Sequence, residues 1–240
     1  MGEILDFLTQ EDADIVVLQE VLASEDPKLP SHYRSLETIQ AQLQYPYQEF
    51  APALYDKFLW GVMANGNAVL SKFPITSQNV TFFDNEIDPD NPRPPFDPQL
   101  FPTMPRNLQH VTLDTPGGIL NVFNLQGVWD LDGDNVSPLR QKMSDTILRE
   151  ARGKEHVIIA GDTNAKHTNP VMRTIEADYT NVFGDELSTS FNMRRKDNPG
   201  YATAVVDMIY VSDDIKITNK LCPDVDISDH LPLITNLEVA

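Results

Sequence analysis

Three short segments of this chain are almost continuously apolar and β-branched: Asp14-Ile-Val-Val-Leu-Gln19, His156-Val-Ile-Ile-Ala-Gly161 and Val205-Val-Asp-Met-Ile-Tyr-Val211. Turn-forming residues flank each one. Runs of this length and composition predict strands buried on both faces of a sheet. They are far shorter than the roughly 18–20 apolar residues that a membrane-spanning helix requires. Further strands are expected at Asn67–Ser71, Leu108–Leu113, Ile119–Leu125 and Leu233–Val239, with a hairpin turn at Pro116-Gly117-Gly118.

Helical signals are fewer. Glu3–Asp12 reads as an amphipathic helix rather than a signal peptide. Pro138–Glu150 carries Leu139, Met143, Ile147 and Leu148 on one face, with Ser137 as N-cap and Pro138 at the first helical position. A shorter helix follows Asn169-Pro170. Between Asp84 and Arg106 lie seven prolines and five acidic residues without periodicity. That stretch reads as one long surface loop, either a lid over a substrate or a tolerated insertion. No repeat or boundary divides the chain. The expectation is a single mixed α/β domain over residues 1–240, rich in strands.

Charge narrows the partners. The net charge is −18, from 18 Lys+Arg against 36 Asp+Glu, and the basic run Arg194-Arg195-Lys196 stands by itself. Proteins that grip duplex nucleic acid tightly usually present a basic stripe, because phosphate neutralisation supplies much of their affinity. A hydrolase whose bound cations provide local positive charge is not excluded. A single cysteine, Cys222, rules out an intrachain disulfide and, with no visible signal peptide, favours the cytoplasm.

The polar residues that carry chemistry stand at the ends of the apolar segments. Glu20 ends the first, Asp162 and Asn164 follow the second, Asp207 lies inside the third, and Asp229-His230 precede the last strand. Scattered carboxylates with little cysteine or histidine point to a hard cation, Mg²⁺ or Mn²⁺, rather than structural zinc. Each residue taken singly also has a bland reading. Glu20 serves equally as a surface or capping residue, Asp162 and Asn164 as an Asx turn, and Asp229-His230 as a turn cap. Asp207 is harder to dismiss, since a carboxylate within Val-Val-Asp-Met-Ile-Tyr is expected to be buried and to need a partner. Arg106 and Arg194-Arg195 are candidates for holding phosphate, with solvated surface arginines as the simpler reading. Trp60 and Trp129 fit core or rim positions better than base-stacking platforms.

Five motifs occur in an order and rough spacing that resemble the endonuclease/exonuclease/phosphatase family: Asp14–Val21, Gly66–Ile75, Gly161-Asp-Thr-Asn164, Val206–Ser212 and Ser228-Asp-His-Leu-Pro-Leu233. Asn124–Trp129 through Arg140-Gln141 is also similar to a stretch in some bacterial members. The resemblance implies a four-layer α/β/β/α sandwich, two packed and mostly antiparallel sheets flanked by helices, with a site at one end. It implies that Glu20 holds a catalytic Mg²⁺ or Mn²⁺ and that Asp229 is a second carboxylate near it. Asp162 is implied to orient or deprotonate the attacking water, and Asn164 to contact the phosphate. His230, held by Asp207, is implied to stabilise the transition state. Gln126 and Arg106 are the candidate substrate-binding residues.

The pattern departs from the family at two points. Members usually open with a strand ending in an asparagine, whereas here the helix before Glu20 begins at Glu3, so that strand is expected upstream of Met1. Gln126 stands where many members carry histidine, and glutamine can donate a hydrogen bond but cannot transfer a proton. Abasic-site endonucleases also carry an amide in this region. Three functions follow: a metal-dependent phosphodiesterase of nuclease type, with nucleic acid as one class of phosphoester substrate; a phosphatase or phosphodiesterase on a small or lipid-derived substrate, which the charge favours; and a degenerate binding module, against which six retained acidic, amide and histidine positions speak.

Overall fold

Each apolar segment forms a strand in a computed structural model that describes residues 1–58, 61–88, 90, 103–130 and 134–239. Trp60 and most of the proline-rich stretch 84–106 fall outside the described residues. The strands are β1 (Ile15–Ala23), β2 (Tyr47–Phe58), β3 (Gly61–Ser71), β4 (Ile75–Phe82), β5 (Asn107–Thr115), β6 (Gly118–Gln126), β7 (Val157–Asp162), β8 (Thr180–Asn181), β9 (Asp207–Val211), β10 (Ile215–Leu221) and β11 (Ile234–Val239). The helices are α1 (Gly2–Glu11), α2 (Ser35–Gln42), α3 (Pro138–Ala151) and α4 (Pro170–Arg173).

The main sheet has the order β4-β5-β6-β7-β9-β8, and only its β6–β7 pair is parallel. The facing layer is divided by its hydrogen bonding into a three-stranded piece, β1-β3-β2, and the ribbon β10-β11. Core clusters define four layers. Val69 on β3 and Ile15 and Val17 on β1 meet Val111, Val122, Ala160 and Ile209 of the main sheet. On that sheet's other side, Phe123 and Ile159 pack on Met143, Ile147 and Ala151 of α3 and on Val171 and Met172 of α4. Outside the three-stranded piece, Val16 and Leu70 pack on Leu5 and Ile39. The result is the α/β/β/α sandwich.

Local chemistry accounts for the ends of the elements. The Ser137 hydroxyl accepts from the Arg140 amide at 3.3 Å, and Pro138 fills the first turn of α3. Asn169 caps α4 through its side-chain oxygen, 2.9 Å from the Val171 amide. Thr115 pairs with Gly118 across the two-residue loop Pro116-Gly117, with Gly118 at φ 110°. The sequence expectation failed for α2, β4, β8 and β10, which lack an apolar run, and for β2, whose run Phe50–Tyr55 is interrupted by Pro52. β4 is an edge strand whose Thr76–Asn79 are exposed, and Pro52 of β2 sits at a register shift. β1 also departs from expectation: among the described residues it has one hydrogen-bonded neighbour, and it is largely half-buried.

Between the sheets the interior changes character along the strands. Residues facing this interface alternate with period two. On β6, Leu120 and Val122 give way to Asn124 and Gln126; on β5, Leu113 and Val111 give way to Gln109 and Asn107. On β7, Ala160 is followed by Asp162. An apolar end thus passes through a belt of buried amides to an acidic end. Asn124, fully buried, is the hub: its oxygen accepts from Gln19 at 2.7 Å, and its Nδ2 donates to Leu18 O, Ala68 O and Gln109 Oε1 at 3.1, 3.0 and 3.2 Å. Asn67 Nδ2 donates to Asn107 Oδ1 at 2.9 Å, and Asn107 Nδ2 to Pro52 O at 3.1 Å. Unpaired, each such buried group costs about 1–3 kcal/mol. Asn124→Ala, which strands several at once, is therefore expected to lower the unfolding free energy in urea by about 2–4 kcal/mol, whereas the exposed Asn79→Ala changes it by less than about 0.5 kcal/mol.

Candidate active site

Strand register builds the acidic end. Gln126 lies beside Asp162 across the parallel β6–β7 pair, and Asp162 opposes Asp207 across the antiparallel β7–β9 pair. Three adjacent strands therefore present an amide and two carboxylates in one row on one face. Glycines permit the close approach at the strand ends. A Cβ on Gly161, at φ 143°, would stand 2.0 Å from Leu125 O, and one on Gly127 would stand 2.1 Å from Thr163 O. Gly127 N donates to Asp162 O at 2.6 Å.

Beyond β7 the chain turns sharply. Asp162 Oδ1 accepts from the Asn164 amide at 2.8 Å, so the pair forms the Asx turn that is the alternative to a catalytic role, and Asn164 adopts the left-handed φ of 52°. Asn164 Nδ2 donates to Gly127 O at 3.0 Å, and its carbonyl accepts from Arg140 Nη2 at 2.8 Å. Arg140, on α3, is fully buried and also donates to Asn135 O at 2.8 Å.

Asp207 is half-buried rather than fully buried as expected, and the partner it requires is the half-buried His230, whose Nδ1 donates to Asp207 Oδ2 at 2.8 Å. A bridge between Phe191 and His230, the Leu231 amide on Ser190 O at 2.7 Å and the Phe191 ring 4.5 Å from the imidazole hold His230 in place. The Ser190 hydroxyl accepts from the Val206 and Asp207 amides at 3.0 and 3.2 Å, fixing the other side. Burial disfavours the charged imidazole. The charge and hydrogen bond of Asp207, followed by Asp162 and Asp229, outweigh it and raise the His230 pKa to about 9. Asp162 moves up to about 7, first through burial and then through repulsion by Asp207, opposed by His230 and the Asn164 amide.

Glu20 approaches from the opposite sheet. The β1–β3 register shifts between Leu18 and Val21, and Glu20 in that bulge has φ 55°. Gln126 Nε2 donates to Glu20 Oε1 at 2.5 Å, so the amide at the departing family position engages a carboxylate. Asp229 Oδ2 lies 2.6 Å from Lys196 Nζ. Burial works against its ionisation, but the Lys196 hydrogen bond and the nearby His230 charge hold its carboxyl below the usual range. Arg106 flanks β5 at the same end of the sheet as Gln126, but is only 6% exposed. Arg194 and Arg195 are ion-paired to Asp224 and Asp226 rather than merely solvated, and Trp129 is half-buried at the rim.

Glu20, Gln126, Asp162, Asn164, Asp207 and His230 thus occupy one end of the sandwich. The donors are hard oxygens, which suit a divalent cation that retains water and takes oxygens from its substrate. Among the described residues, no three His, Cys, Asp or Glu side chains are close enough to hold a metal by themselves. Sequence reasoning assigned no role to Ser190, Asn192 or Lys196, because their partners lie on distant segments. It placed Arg140 within a motif without seeing that the residue is buried.

Comparisons with known proteins bear on the fold and the family. The profile of the endonuclease/exonuclease/phosphatase family matches residues 1–230. A search of curated proteins gives no match. An endonuclease/exonuclease/phosphatase from Beutenbergia cavernae has a TM-score of 0.74 at 19% identity, over 99% of this chain and 65% of its own, so this chain spans less than two thirds of that relative. The mannosyl-6-phosphatase of Bacteroides thetaiotaomicron gives 0.63 at 18% identity, over 98% of this chain and 89% of its own. D. rerio TDP2 complexed with single strand DNA product gives 0.65 at 16% identity, over 99% and 90%. At these identities the solved structures establish the fold. With the profile match over nearly the whole chain, the chain belongs to the endonuclease/exonuclease/phosphatase family.

Proposed function

We propose that this chain hydrolyses phosphoester bonds with a divalent cation, Mg²⁺ or Mn²⁺, and that phosphodiesters of nuclease type are its first substrate class. The observation that carries the reading is the row of buried Asp162 with half-buried Asp207 and His230, in which a carboxyl shifted towards neutrality stands beside an imidazole kept cationic. Such a pair separates base and acid roles at neutral pH. Asp162 takes the proton of the attacking water. His230, with Nδ1 on Asp207, offers its other ring nitrogen to a phosphoryl oxygen as negative charge develops. Asn164 contacts the phosphate from the Asp162 turn. Glu20 and Asp229 would hold the cation, which supplies charge neutralisation on the non-bridging oxygens. Gln126 orients Glu20 and transfers no proton.

A phosphatase or phosphodiesterase acting on a small or lipid-derived substrate is the second reading. It is favoured by the net charge of −18 and by the ion-pairing of Lys166, Arg194, Arg195 and Lys196 with acids. A named phosphatase and a DNA-bound protein share the fold, so the architecture itself does not choose between them.

Hydrolysis of bis-(p-nitrophenyl) phosphate and p-nitrophenyl phosphate, with Mg²⁺, Mn²⁺ or EDTA, tests the reading. Cation-dependent turnover is expected, with the diester preferred, and a loss of about 10²–10⁴-fold in His230→Ala or Asp162→Ala. Turnover that survives EDTA or both substitutions sinks the assignment. No turnover from a folded protein favours the binding module.

The pH profile of kcat/KM gives an independent test. Asp162 acts as base once ionised, so activity rises through about pH 7, or lower when a cation stabilises the carboxylate. His230 acts while protonated, so activity falls through about pH 9. The negative charge of Asp207 raises both pKa values. Asp207→Asn is therefore expected to move both limbs to lower pH, and limbs that stay in place or move apart contradict the assigned roles.

A further inference from the structure

Lys196 is left over once the hydrolytic residues have been assigned, and its surroundings are unlike those of its two basic neighbours. Arg194 makes a two-pronged pair with Asp224 at 2.6 and 2.7 Å, and Arg195 pairs with Asp226 at 2.5 Å. Their side chains are 49% and 39% exposed, and pairs of this kind contribute little by themselves. Together with Asn192, which donates to Asp226 Oδ1 and Ser228 O at 2.7 and 2.8 Å, they rivet the 192–196 segment to the loop that carries His230. Lys196 lies at the inner end of this seam. Its side chain is 22% exposed, and its ammonium stands 2.6 Å from Asp229 Oδ2, 5.3 Å from the centre of the Phe191 ring and 5.4 Å from that of Tyr201. The same Phe191 ring lies 4.5 Å from the His230 imidazole, so the two cations share one aromatic wall.

We propose that Lys196 is a specificity-determining residue that holds a second phosphate group of the substrate, next to the scissile phosphate on the His230 side. This rests on the hydrolase reading above and deepens it. An ammonium has three N–H donors, of which Asp229 takes one and the ring faces bind the charge without accepting a strong hydrogen bond. Donors therefore remain for an anion. The aromatic wall reduces competition from water, which strengthens a charge-assisted bond there. Asp207 and Asp229 flank the His230 side of the site, so a second phosphate arriving there gains from a cation that meets it directly. The rivets to Asp224 and Asp226 keep the lysine from following its ligand into solvent.

Two chromogenic esters isolate this contact: p-nitrophenyl thymidine 5′-phosphate and its 3′-phosphorylated counterpart. The quantity read is the ratio of their kcat/KM values, so that changes common to both cancel. Wild-type protein is expected to prefer the phosphorylated ester by about tenfold, as one charge-assisted hydrogen bond allows. Lys196→Met should erase the preference and Lys196→Arg retain part of it, with circular dichroism confirming that both variants fold. A ratio near one in wild type, or a preference unchanged by Lys196→Met, overturns the proposal and leaves Lys196 as a rivet. If neither ester is turned over, the fate of the hydrolase reading is decided separately by the bis-(p-nitrophenyl) phosphate and p-nitrophenyl phosphate assays. Calorimetric affinities for thymidine 3′,5′-bisphosphate and thymidine 5′-monophosphate then decide the lysine's role, with the same ratio and the same two variants.

Discussion

Two carboxylates opposed on adjacent buried strands set the terms for the rest of this site. Asp162 and Asp207 face each other across β7–β9, where desolvation and the charge of Asp207 disfavour ionisation of Asp162. A lone pair of this kind would be costly, and the surrounding chain compensates for it on every side. His230 supplies a cation to Asp207, and the Asn164 amide supplies a hydrogen bond to Asp162. Arg140, buried behind the Asn164 turn, braces the loop that brings that amide into place. Removing one partner exposes the cost of the others, so the group is better regarded as one unit than as separate contacts.

The sandwich accommodates this unit through a graded interior. At one end the sheets meet through Val69, Val111, Val122 and Ile209, where burial alone drives association. In the middle, amides of Gln19, Asn67, Asn107, Gln109 and Asn124 hydrogen-bond one another and the backbone across the gap. That belt has directional bonds and fixes the relative setting of the sheets more tightly than an oily contact would. Fixing the setting matters because Glu20 comes from one sheet and Gln126, Asp162 and Asp207 come from the other. Of the four described non-glycine residues with left-handed backbone, Glu20 and Asn164 stand at this end, while Asp12 ends α1 and His156 precedes β7.

Much of this was legible in the residues. The apolar runs predicted β1, β7 and β9, the Ser137-Pro138 signal predicted the start of α3, and Pro116-Gly117 marked the β5–β6 hairpin. The demand that Asp207 have a partner was met by His230, although Asp207 is half-buried rather than buried. Strands without an apolar run were missed, because β4 lies at an edge and β10 turns polar residues outwards. The arginines of the 194–195 pair looked like solvated surface groups because the acids that hold them are about thirty positions away.

What the sequence determined by itself was local: which segments extend, where α3 and the β5–β6 hairpin begin, and which residue types stand at the strand ends. These follow from propensity, period and capping, which act over a few residues. The tertiary structure decided everything that depends on two segments meeting. Register placed Gln126, Asp162 and Asp207 in one row, the amide belt brought Glu20 to Gln126, and the seam from Asn192 to Asp229 set Lys196 beside His230. The physical reason is range: a hydrogen bond or an ion pair ends within a few ångströms, and only the folded chain brings residues scores of positions apart to that distance.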